Sequence, residues 1–231
     1  MKRLDFRPLI GFTIVMFIRL VSKMFWRLEW KWINPPVDEK DVWTRGKVMV
    51  LMNHTSLYEP LFSPVMPVKF TWNFISRMAA PAADDTLNRP IVGAFWKLMI
   101  PRATAISRKR DDTWSLFMDQ IAHDSMIVIA PEGRMKRPNG LDKHGNKMTI
   151  KSGIVDILSR ELSGTMVLFY SGGLHHVQAP GETFPRPFQK IKMNLEWFDI
   201  QEYKKRFSAD PVVFKEQVLA DLQERLEKNC P

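Results

Sequence analysis

The chain has 231 residues, enough for one domain of α/β size with a short additional segment but cramped for two full domains. Hydrophobic residues make up 45% of it and charged residues 26%, which argues against intrinsic disorder, collagen and a protein with several membrane spans. The single cysteine, Cys230, excludes an internal disulfide and a cysteine-based zinc site and permits a reducing compartment. The formal net charge of +9 indicates an anionic partner such as phosphate, a membrane surface, an acidic carrier or nucleic acid, without choosing among them.

The N-terminal segment combines a short apolar run with regularly spaced basic residues. Residues 9–18 are apolar, and as a helix they would extend ~15 Å, against ~30 Å for the hydrocarbon core of a bilayer. No small-residue cleavage site of a secretory signal follows them. Instead, basic residues recur every four positions among large apolar ones, which predicts a helix lying in a membrane interface. These basic residues are Arg19, Lys23, Arg27 and Lys31.

We expect this interfacial helix to continue through Trp32, with Pro35 and Pro36 closing it and beginning a linker that runs to about Arg45. A helix packed on its own domain is the alternative for the same segment. The pattern divides the chain into a membrane-interface helix, residues 1–36, and one larger domain, residues 37–231.

The larger domain alternates apolar runs typical of buried strands with patterns typical of helices. This alternation predicts an α/β fold whose mostly parallel sheet is flanked by helices on both faces. The predicted strands are 47–52, 70–75, 104–107, 126–130, 166–170 and 191–197, and the predicted helices are 90–98, 113–123, 150–162 and 211–228.

Several common motifs are absent from the sequence. It contains no GxxxxGK[ST], GxGxxG, HExxH or GxSxG pattern, so the commonest signals for a nucleotide-binding protein, a zinc-dependent hydrolase and a serine hydrolase are absent. We expect no metal site and no cofactor. Two motifs at strand ends remain as candidates for chemistry.

The first motif is His54, which directly follows the buried strand 47–52, with Glu59 five residues later. A turn after the strand could bring the carboxylate to the imidazole. Such a pair is a general base, because the imidazole accepts a hydroxyl proton near neutral pH and the carboxylate fixes its tautomer. Taken alone the pair is a weak signal, and a histidine that caps the start of a helix is the alternative.

The second motif is the Pro-Glu-Gly-Arg sequence of residues 131–134, which directly follows strand 126–130. The carboxyl ends of parallel strands meet at one edge of a sheet, where ligands bind, so Glu132 is expected near His54. Strand 104–107 leads in the same way to the cation Arg108.

These motifs together resemble the glycerolipid acyltransferases, the family of lysophosphatidic acid and glycerol-3-phosphate acyltransferases. That family carries the blocks NHxSxxD, an Ile-Asp-Arg-like triplet and FPEGTRS in this order. The chain has NHTSLYE at 53–59, Ile-Ser-Arg at 106–108 and APEGR at 130–134. The resemblance extends over about residues 46–170 and includes Lys-Ser-Gly at 151–153, similar to a step that follows the third block.

The resemblance implies a role for each matching residue. His54 would deprotonate the acceptor hydroxyl, with Glu59 in the place of the family's aspartate. Arg108 would hold the acceptor phosphate through charge-assisted hydrogen bonds. Glu132 and Gly133 would shape the acceptor pocket, and Arg134 and Lys151 would add phosphate contacts.

Three departures from the family pattern concern the identity of the acceptor. Glu59 is one methylene longer than aspartate. Arg134 follows Gly133 directly, where the family places a threonine before its arginine. The strand at 166–170 lacks the proline of the family's fourth block.

The resemblance implies an acyltransferase domain at 37–231 that moves a fatty acyl group from acyl-CoA or acyl carrier protein to a lysophospholipid, with 1-acyl-sn-glycerol-3-phosphate as the expected acceptor. We expect a peripheral or monotopic protein on the cytoplasmic face of an anionic membrane. Alternatives are another acceptor, such as glycerol-3-phosphate or a lyso-aminolipid, and a non-catalytic protein that binds lipid. Nucleic-acid binding has no recognition motif to support it, and we expect none.

Overall fold

A computed structural model describes residues 6–100, 102–107, 112–160, 163–179, 182 and 184–231. Its centre is a seven-stranded sheet in the order β1-β7-β6-β2-β5-β3-β4. The strands are β1 (Arg27–Trp32), β2 (Gly46–Met52), β3 (Met78–Ala83), β4 (Arg102–Ile106), β5 (Met126–Ile129), β6 (Thr165–Ser171) and β7 (Lys190–Asp199).

Five strands of the sheet run in the same direction. They are β6, β2, β5, β3 and β4, and each pairs in parallel with its neighbour. The remaining two strands run the other way, because β7 pairs antiparallel with β6, and β1 pairs in parallel with β7. The carboxyl ends of β2 and β5 therefore lie side by side, as the sequence predicts for the segments that follow them.

Helices cover both faces of this sheet. Alternate residues of β2 separate into two cores, with Met49 in one and Val48 and Val50 in the other. The first core packs against α1 (Arg7–Phe25), α2 (Glu39–Thr44), a 3₁₀ helix (Glu59–Val65), α3 (Val68–Arg77) and α5 (Pro90–Met99). The second packs against α6 (Thr113–Gln120), α7 (Gly153–Ser159), α8 (Ile200–Lys204) and α9 (Pro211–Asn229). A short helix, α4 (Asp84–Leu87), follows β3. The predicted α/β architecture is confirmed.

The N-terminal helix is shorter than the sequence pattern predicts. It ends at Phe25, and residues 27–32 form β1 at the edge of the sheet, so the prediction of helix from 26 to Trp32 is wrong. The main chain there pairs with β7, and the buried Trp26 donates its indole N–H to the Arg186 carbonyl oxygen at 3.0 Å. Sheet pairing that closes across more than 150 residues thus overrides the local helical period.

The helix α1 also packs on its own domain, through the two polar side chains of its inner face. Arg19 donates to the carbonyl oxygens of Ser63 and Met66, at 2.8 and 2.5 Å, and the Ser22 hydroxyl donates to that of Leu61 at 2.6 Å. Arg19 therefore points inward and is not part of an outward basic stripe. Among the helices of the described residues, α1 is the one long and apolar enough to cross a membrane by length and composition.

The prediction of a strand at 70–75 is also wrong, because this segment lies within α3. Its buried residues include Phe70, Phe74 and Ile75, a spacing that places them on one face of a helix. The strand at this point is β3, which contains Pro81. Only Met78 and Ala79 of β3 pair with β5, so Pro81 lies where one side of the strand has no ladder partner.

Candidate active site

The turn after β2 brings His54 to the end of the neighbouring strand β5. Asn53 has a φ of 60°, a left-handed conformation that asparagine adopts more readily than most residues. Its side-chain N–H donates to the carbonyl oxygen of Ser171 at 2.8 Å. The chain thereby reverses, and the main-chain N–H of His54 donates to Glu132 Oε2 at 2.7 Å. The two strand-end motifs meet as the sequence predicts.

His54 and Glu59 also form the predicted pair. The distance from His54 Nδ1 to Glu59 Oε1 is 2.7 Å, and the N–H of Thr55 donates to the same oxygen at 3.3 Å. Glu59 opens the 3₁₀ helix, and Pro60 follows it in the first turn. Because a carboxylate only accepts, the proton in this contact lies on Nδ1, which leaves the Nε2 lone pair as the basic site of the ring.

The electrostatics of this site suit a base. Burial by itself lowers the pKa of His54, but the charge of Glu59, its hydrogen bond to the ring and the charge of Glu132 outweigh burial, so the pKa lies above its ordinary value. Burial also raises the pKa of Glu132, although the hydrogen bond from the His54 N–H opposes this shift. Glu132 is 1% exposed, and its Oε1 has no hydrogen-bond partner within the part of the chain that the structure describes.

A tight turn carries Glu132 and Gly133 at the end of β5. The Gly133 N–H donates to the Ala130 carbonyl oxygen at 3.0 Å, and Gly133 has a φ of +69°, which favours glycine. The Lys151 N–H donates to the Pro131 carbonyl oxygen at 2.8 Å. These contacts bring the segment of the third block and the Lys-Ser-Gly segment together.

Lys136 and His175 support the turn that carries His54 and were not predicted as site residues from the sequence. Lys136 donates its main-chain N–H to the His54 carbonyl oxygen at 2.7 Å and its Nζ to Asn53 Oδ1 at 3.2 Å. His175 in turn donates from Nε2 to the carbonyl oxygen of Lys136 at 2.7 Å. We call these contacts of Lys136 and His175 the Lys136 clamp. Its only signal in the sequence is that His175 lies just after the glycine pair of residues 172–173, which is a weak indication of a loop that lines a pocket.

Two cavities of different chemistry border the two acidic residues that contact His54. One is apolar, lies beneath α1 and includes Val15, Phe74 and Met99 in its wall. Among its described lining residues Glu59 is the one charged side chain. The other, which we call the polar cavity, has more polar groups in its wall than the first and opens beside Glu132. Besides Ser107, Trp114 and Gly133, its lining includes the charged residues Glu132, Arg134, Lys151 and Asp156. His54 contacts both acidic residues, through its ring with Glu59 of the first cavity and through its main-chain N–H with Glu132 of the second.

The predicted phosphate ligands differ in their surroundings. Arg134 lines the polar cavity but is ion-paired with the buried Asp142, so part of its charge is neutralised by the protein. Lys151 lines the same cavity and is exposed, with its Nζ donating to the Thr149 hydroxyl at 2.8 Å. Arg108 lies outside the described residues, and its role stays a prediction. Ser107, the residue before it, lies in the cavity wall.

A family model described as Acyltransferase matches residues 35–168, more than half of the chain and all of the predicted site residues. The chain belongs to the Acyltransferase family. In a comparison of folds, it matches the crystal structure of the 1-acyl-sn-glycerophosphate (LPA) acyltransferase PlsC from Thermotoga maritima with a TM-score of 0.51. The two chains are 14% identical, and the match covers 96% of this chain and 83% of that one. No curated protein sequence matches the chain significantly.

The departures from the family's sequence blocks can now be placed. Glu59 replaces aspartate in this acyltransferase, and the longer side chain still reaches His54 at 2.7 Å. The fourth-block strand is β6, which lacks the proline and ends at Ser171, the residue that accepts the hydrogen bond from Asn53. Across the described ranges, no group of three or more His, Cys, Asp or Glu side chains is placed to hold a metal ion.

Proposed function

We propose that this acyltransferase moves a fatty acyl group from a thioester to the hydroxyl of a lysophospholipid, with 1-acyl-sn-glycerol-3-phosphate as acceptor and phosphatidic acid as product. One observation carries the proposal: His54 contacts both Glu59, in the wall of an apolar cavity, and Glu132, in the wall of a polar one. An acyl chain suits the first cavity, and a phosphate headgroup suits the second.

The reaction needs only the groups already described. The Nε2 of His54 takes the proton of the acceptor hydroxyl as its oxygen attacks the thioester carbonyl. The new ester bond forms, the carbon–sulfur bond breaks, and the departing thiolate takes the proton from the imidazolium. Glu59 holds the ring by Nδ1 and stabilises the imidazolium between these steps. No residue of the protein becomes acylated, because the thioester is already activated.

The acceptor phosphate would lie in the polar cavity. Lys151 is exposed there and offers a point charge, and Arg134 offers a guanidinium that Asp142 orients. Glu132 and Gly133 form the inner wall of the same cavity. In this proposal Arg108, which follows Ser107 in the sequence, adds a further cation. These cations, beside the carboxylates of Glu132 and Asp156 in the same wall, support a phosphate-bearing acceptor.

The donor is proposed to be acyl-CoA or acyl carrier protein, both of which carry phosphate or acidic groups near the thioester arm. Arg137, Lys143 and Lys147 are exposed on the loop beyond Lys136, which itself contacts the catalytic turn. This basic loop would attract either donor.

The membrane surface is proposed as the place of reaction, on the cytoplasmic face. The outer stripe of α1 is apolar and its inner face is fixed to the domain, so the helix presents large side chains outward. Such a surface suits a peripheral or monotopic protein that takes its acceptor from an anionic leaflet. The exposed members of the stripe are Phe6, Leu9, Ile10, Phe17, Leu20 and Met24.

A thioester-release assay with detergent-dispersed lysophosphatidic acid tests the proposal. We expect turnover by the wild type and a loss of about 10² to 10⁴-fold in His54→Ala, the scale of a lost general base. His123→Ala is the matched control, because His123 is exposed before β5 at the opposite edge of the sheet. Undiminished turnover in His54→Ala would show that His54 is not the base.

A parallel panel with glycerol-3-phosphate and a lyso-aminolipid identifies the acceptor. Vesicle binding without acyl transfer from either donor would overturn the enzymatic proposal.

A further inference from the structure

Two phenylalanines between β6 and β7 present their rings to solvent. Phe184 is 80% exposed and Phe188 is 70% exposed, more than any apolar side chain of α1. We call these two residues the aromatic tip. Large exposed apolar groups near one another mark a surface that meets a partner.

The aromatic tip is carried by a segment that is bonded to the end of α1. The Phe188 N–H donates to the Phe25 carbonyl oxygen at 2.5 Å, and the rings of these two residues lie 5.8 Å apart. Trp26 bonds to the carbonyl of Arg186, whose own N–H donates to the Val177 carbonyl oxygen at 2.7 Å. The backbone at Phe188 is therefore held by main-chain contacts to the end of α1 and to the segment after β6.

The backbone of Phe188 is strained in holding its ring outward. Its φ is 62°, in the left-handed region that is unusual for a bulky residue and costs free energy. Strain of this kind persists where the surrounding structure imposes it, and it is concentrated at functional positions.

The surroundings of the aromatic tip match a lipid surface with anionic headgroups. Phe25 joins the tip to α1, whose outer stripe ends with Leu20 and Met24, 63% and 62% exposed. Basic side chains are exposed close by in the sequence of α1 and in the paired strands β1 and β7. Apolar rings with a cationic rim suit the interface of an anionic leaflet. These cations are Lys23, Arg27, Lys190 and Lys192, of which Lys190 is paired with Glu29.

We propose that Phe184 and Phe188 enter the same lipid surface as α1 and form a second point of contact with it. The inference rests on the membrane association in the proposed function. Its consequence for catalysis follows from the same segment, because the Leu174 N–H donates to the Thr55 hydroxyl at 2.9 Å and the Ser56 hydroxyl donates to Gln178 at 3.1 Å. Two contacts with the bilayer would fix the orientation of the turn that carries His54 toward the lipid.

An environment-sensitive fluorophore on a single cysteine tests the contact directly. Phe184→Cys, Leu20→Cys and Val212→Cys are each labelled in a Cys230→Ser background and mixed with vesicles of 70% phosphatidylcholine and 30% phosphatidylglycerol. Val212 is the matched control, because it is 66% exposed on α9, a helix of the other face of the sheet. We expect a blue shift at positions 184 and 20 and none at 212. A shift at 20 alone would overturn the second contact and leave the proposed membrane association intact, and no shift at either would overturn both.

Unlabelled variants give an independent measurement. Phe184→Ser with Phe188→Asn removes both rings, and asparagine tolerates the left-handed backbone at 188. We expect vesicle binding to weaken about tenfold for each ring that no longer enters the interface, with no fall in the unfolding temperature. Phe184→Trp is expected to keep the binding of the wild type. Unchanged binding in the double variant, or a loss equally large in Val212→Ser, would overturn the proposal.

Discussion

Lys136 holds both sides of the turn that carries His54, donating from its Nζ to Asn53 Oδ1 at 3.2 Å and from its main-chain N–H to the His54 carbonyl oxygen at 2.7 Å. Asn53 is in turn fixed to Ser171 at the end of β6. The left-handed backbone at Asn53 is thus maintained from the two segments that flank it. The position of the backbone that carries the imidazole therefore depends on contacts outside the His54 and Glu59 pair.

Substitutions of Asn53 should separate the contribution of its backbone conformation to stability from that of its side-chain hydrogen bonds. Asn53→Gly keeps the backbone at φ 60° but loses two side-chain hydrogen bonds, each of ~0.5–1.5 kcal/mol. Asn53→Ala loses the same bonds and adds ~1–2 kcal/mol of left-handed strain, so it should unfold at a lower temperature than the glycine variant. Thermal unfolding of the two proteins checks this order.

Lys136→Met should lower turnover by roughly tenfold while binding of the thioester changes little, because the reacting geometry loosens and the cavities stay intact. Steady-state acyl transfer measures both quantities. Lys205→Met is the matched control, since Lys205 is exposed at the end of α8, outside the proposed site, and pairs with Glu202 at 2.7 Å. Equal turnover in the two lysine variants would contradict a positioning role for Lys136.

The pH dependence of acyl transfer should report the charge of Glu59. His54 must be neutral to act as a base, and its pKa lies above the ordinary value of ~6.5. A plot of kcat/KM against pH should therefore have an acidic limb, a rise with pH that is centred above pH ~6.5. Glu59→Gln removes a charge that raises the pKa while burial still lowers it, so the limb should move to lower pH and the plateau should fall. Glu59→Asp, which restores the family's residue, should keep a limb near that of the wild type. Identical limbs in the wild type and Glu59→Gln would show that the pair does not tune this base.

The catalytic turn also shows what the sequence could predict and why. His54 and Glu132 were predictable because each closely follows a strand pattern and parallel strands end at one edge, and Glu59 because it lies five residues after His54. The contacts of Lys136 with Asn53 and His175 join segments 83 and 39 residues apart, and no local period records them. The spacing of residues within α1 also does not show which of its faces packs on the domain.

The wrong predictions of secondary structure also arise from contacts between segments that are distant in the sequence. Residues 26–32 have the composition of an interfacial helix, and they form β1 because β7 offers its edge. β3 is made of small residues and a proline, which carry little strand signal, and it exists because β4 and β5 lie on either side of it. In both cases tertiary pairing decides between local alternatives.

Enlarging a side chain in the apolar cavity should shorten the acyl group that is accepted. Val15 is 3% exposed on the inner face of α1, and Val15→Phe would fill part of the cavity. Excluding about two methylene groups costs ~1.6 kcal/mol, so the ratio of kcat/KM for long over medium chains should fall by about tenfold. Competition between thioesters of two lengths measures this ratio. Leu116→Phe, at an exposed position of α6, should leave the ratio unchanged, and a loss of activity that is equal for all chain lengths would contradict an acyl-chain site.

Asp142→Asn should destabilise the loop that presents Arg134, in a way that depends on pH. The Asp142 carboxylate accepts main-chain hydrogen bonds from Asn146 and His144, at 2.9 and 2.8 Å, and pairs with Arg134, and these contacts hold its pKa well below the ordinary value although burial opposes them. A carboxyl whose pKa is lowered by folding contributes stability above its unfolded pKa of ~3.9 and loses that contribution as pH falls toward the folded value. The wild type should therefore be more stable than the variant at pH 7, and the difference should shrink below pH ~4.

Urea unfolding at a series of pH values measures this difference in stability. Asp119→Asn is the control, at an exposed position 3.9 Å from Arg160. Since Arg134 would lose its anionic partner, faster trypsin cleavage after Arg137 should accompany the loss, and equal stability at pH 7 would show that the loop does not depend on this carboxylate.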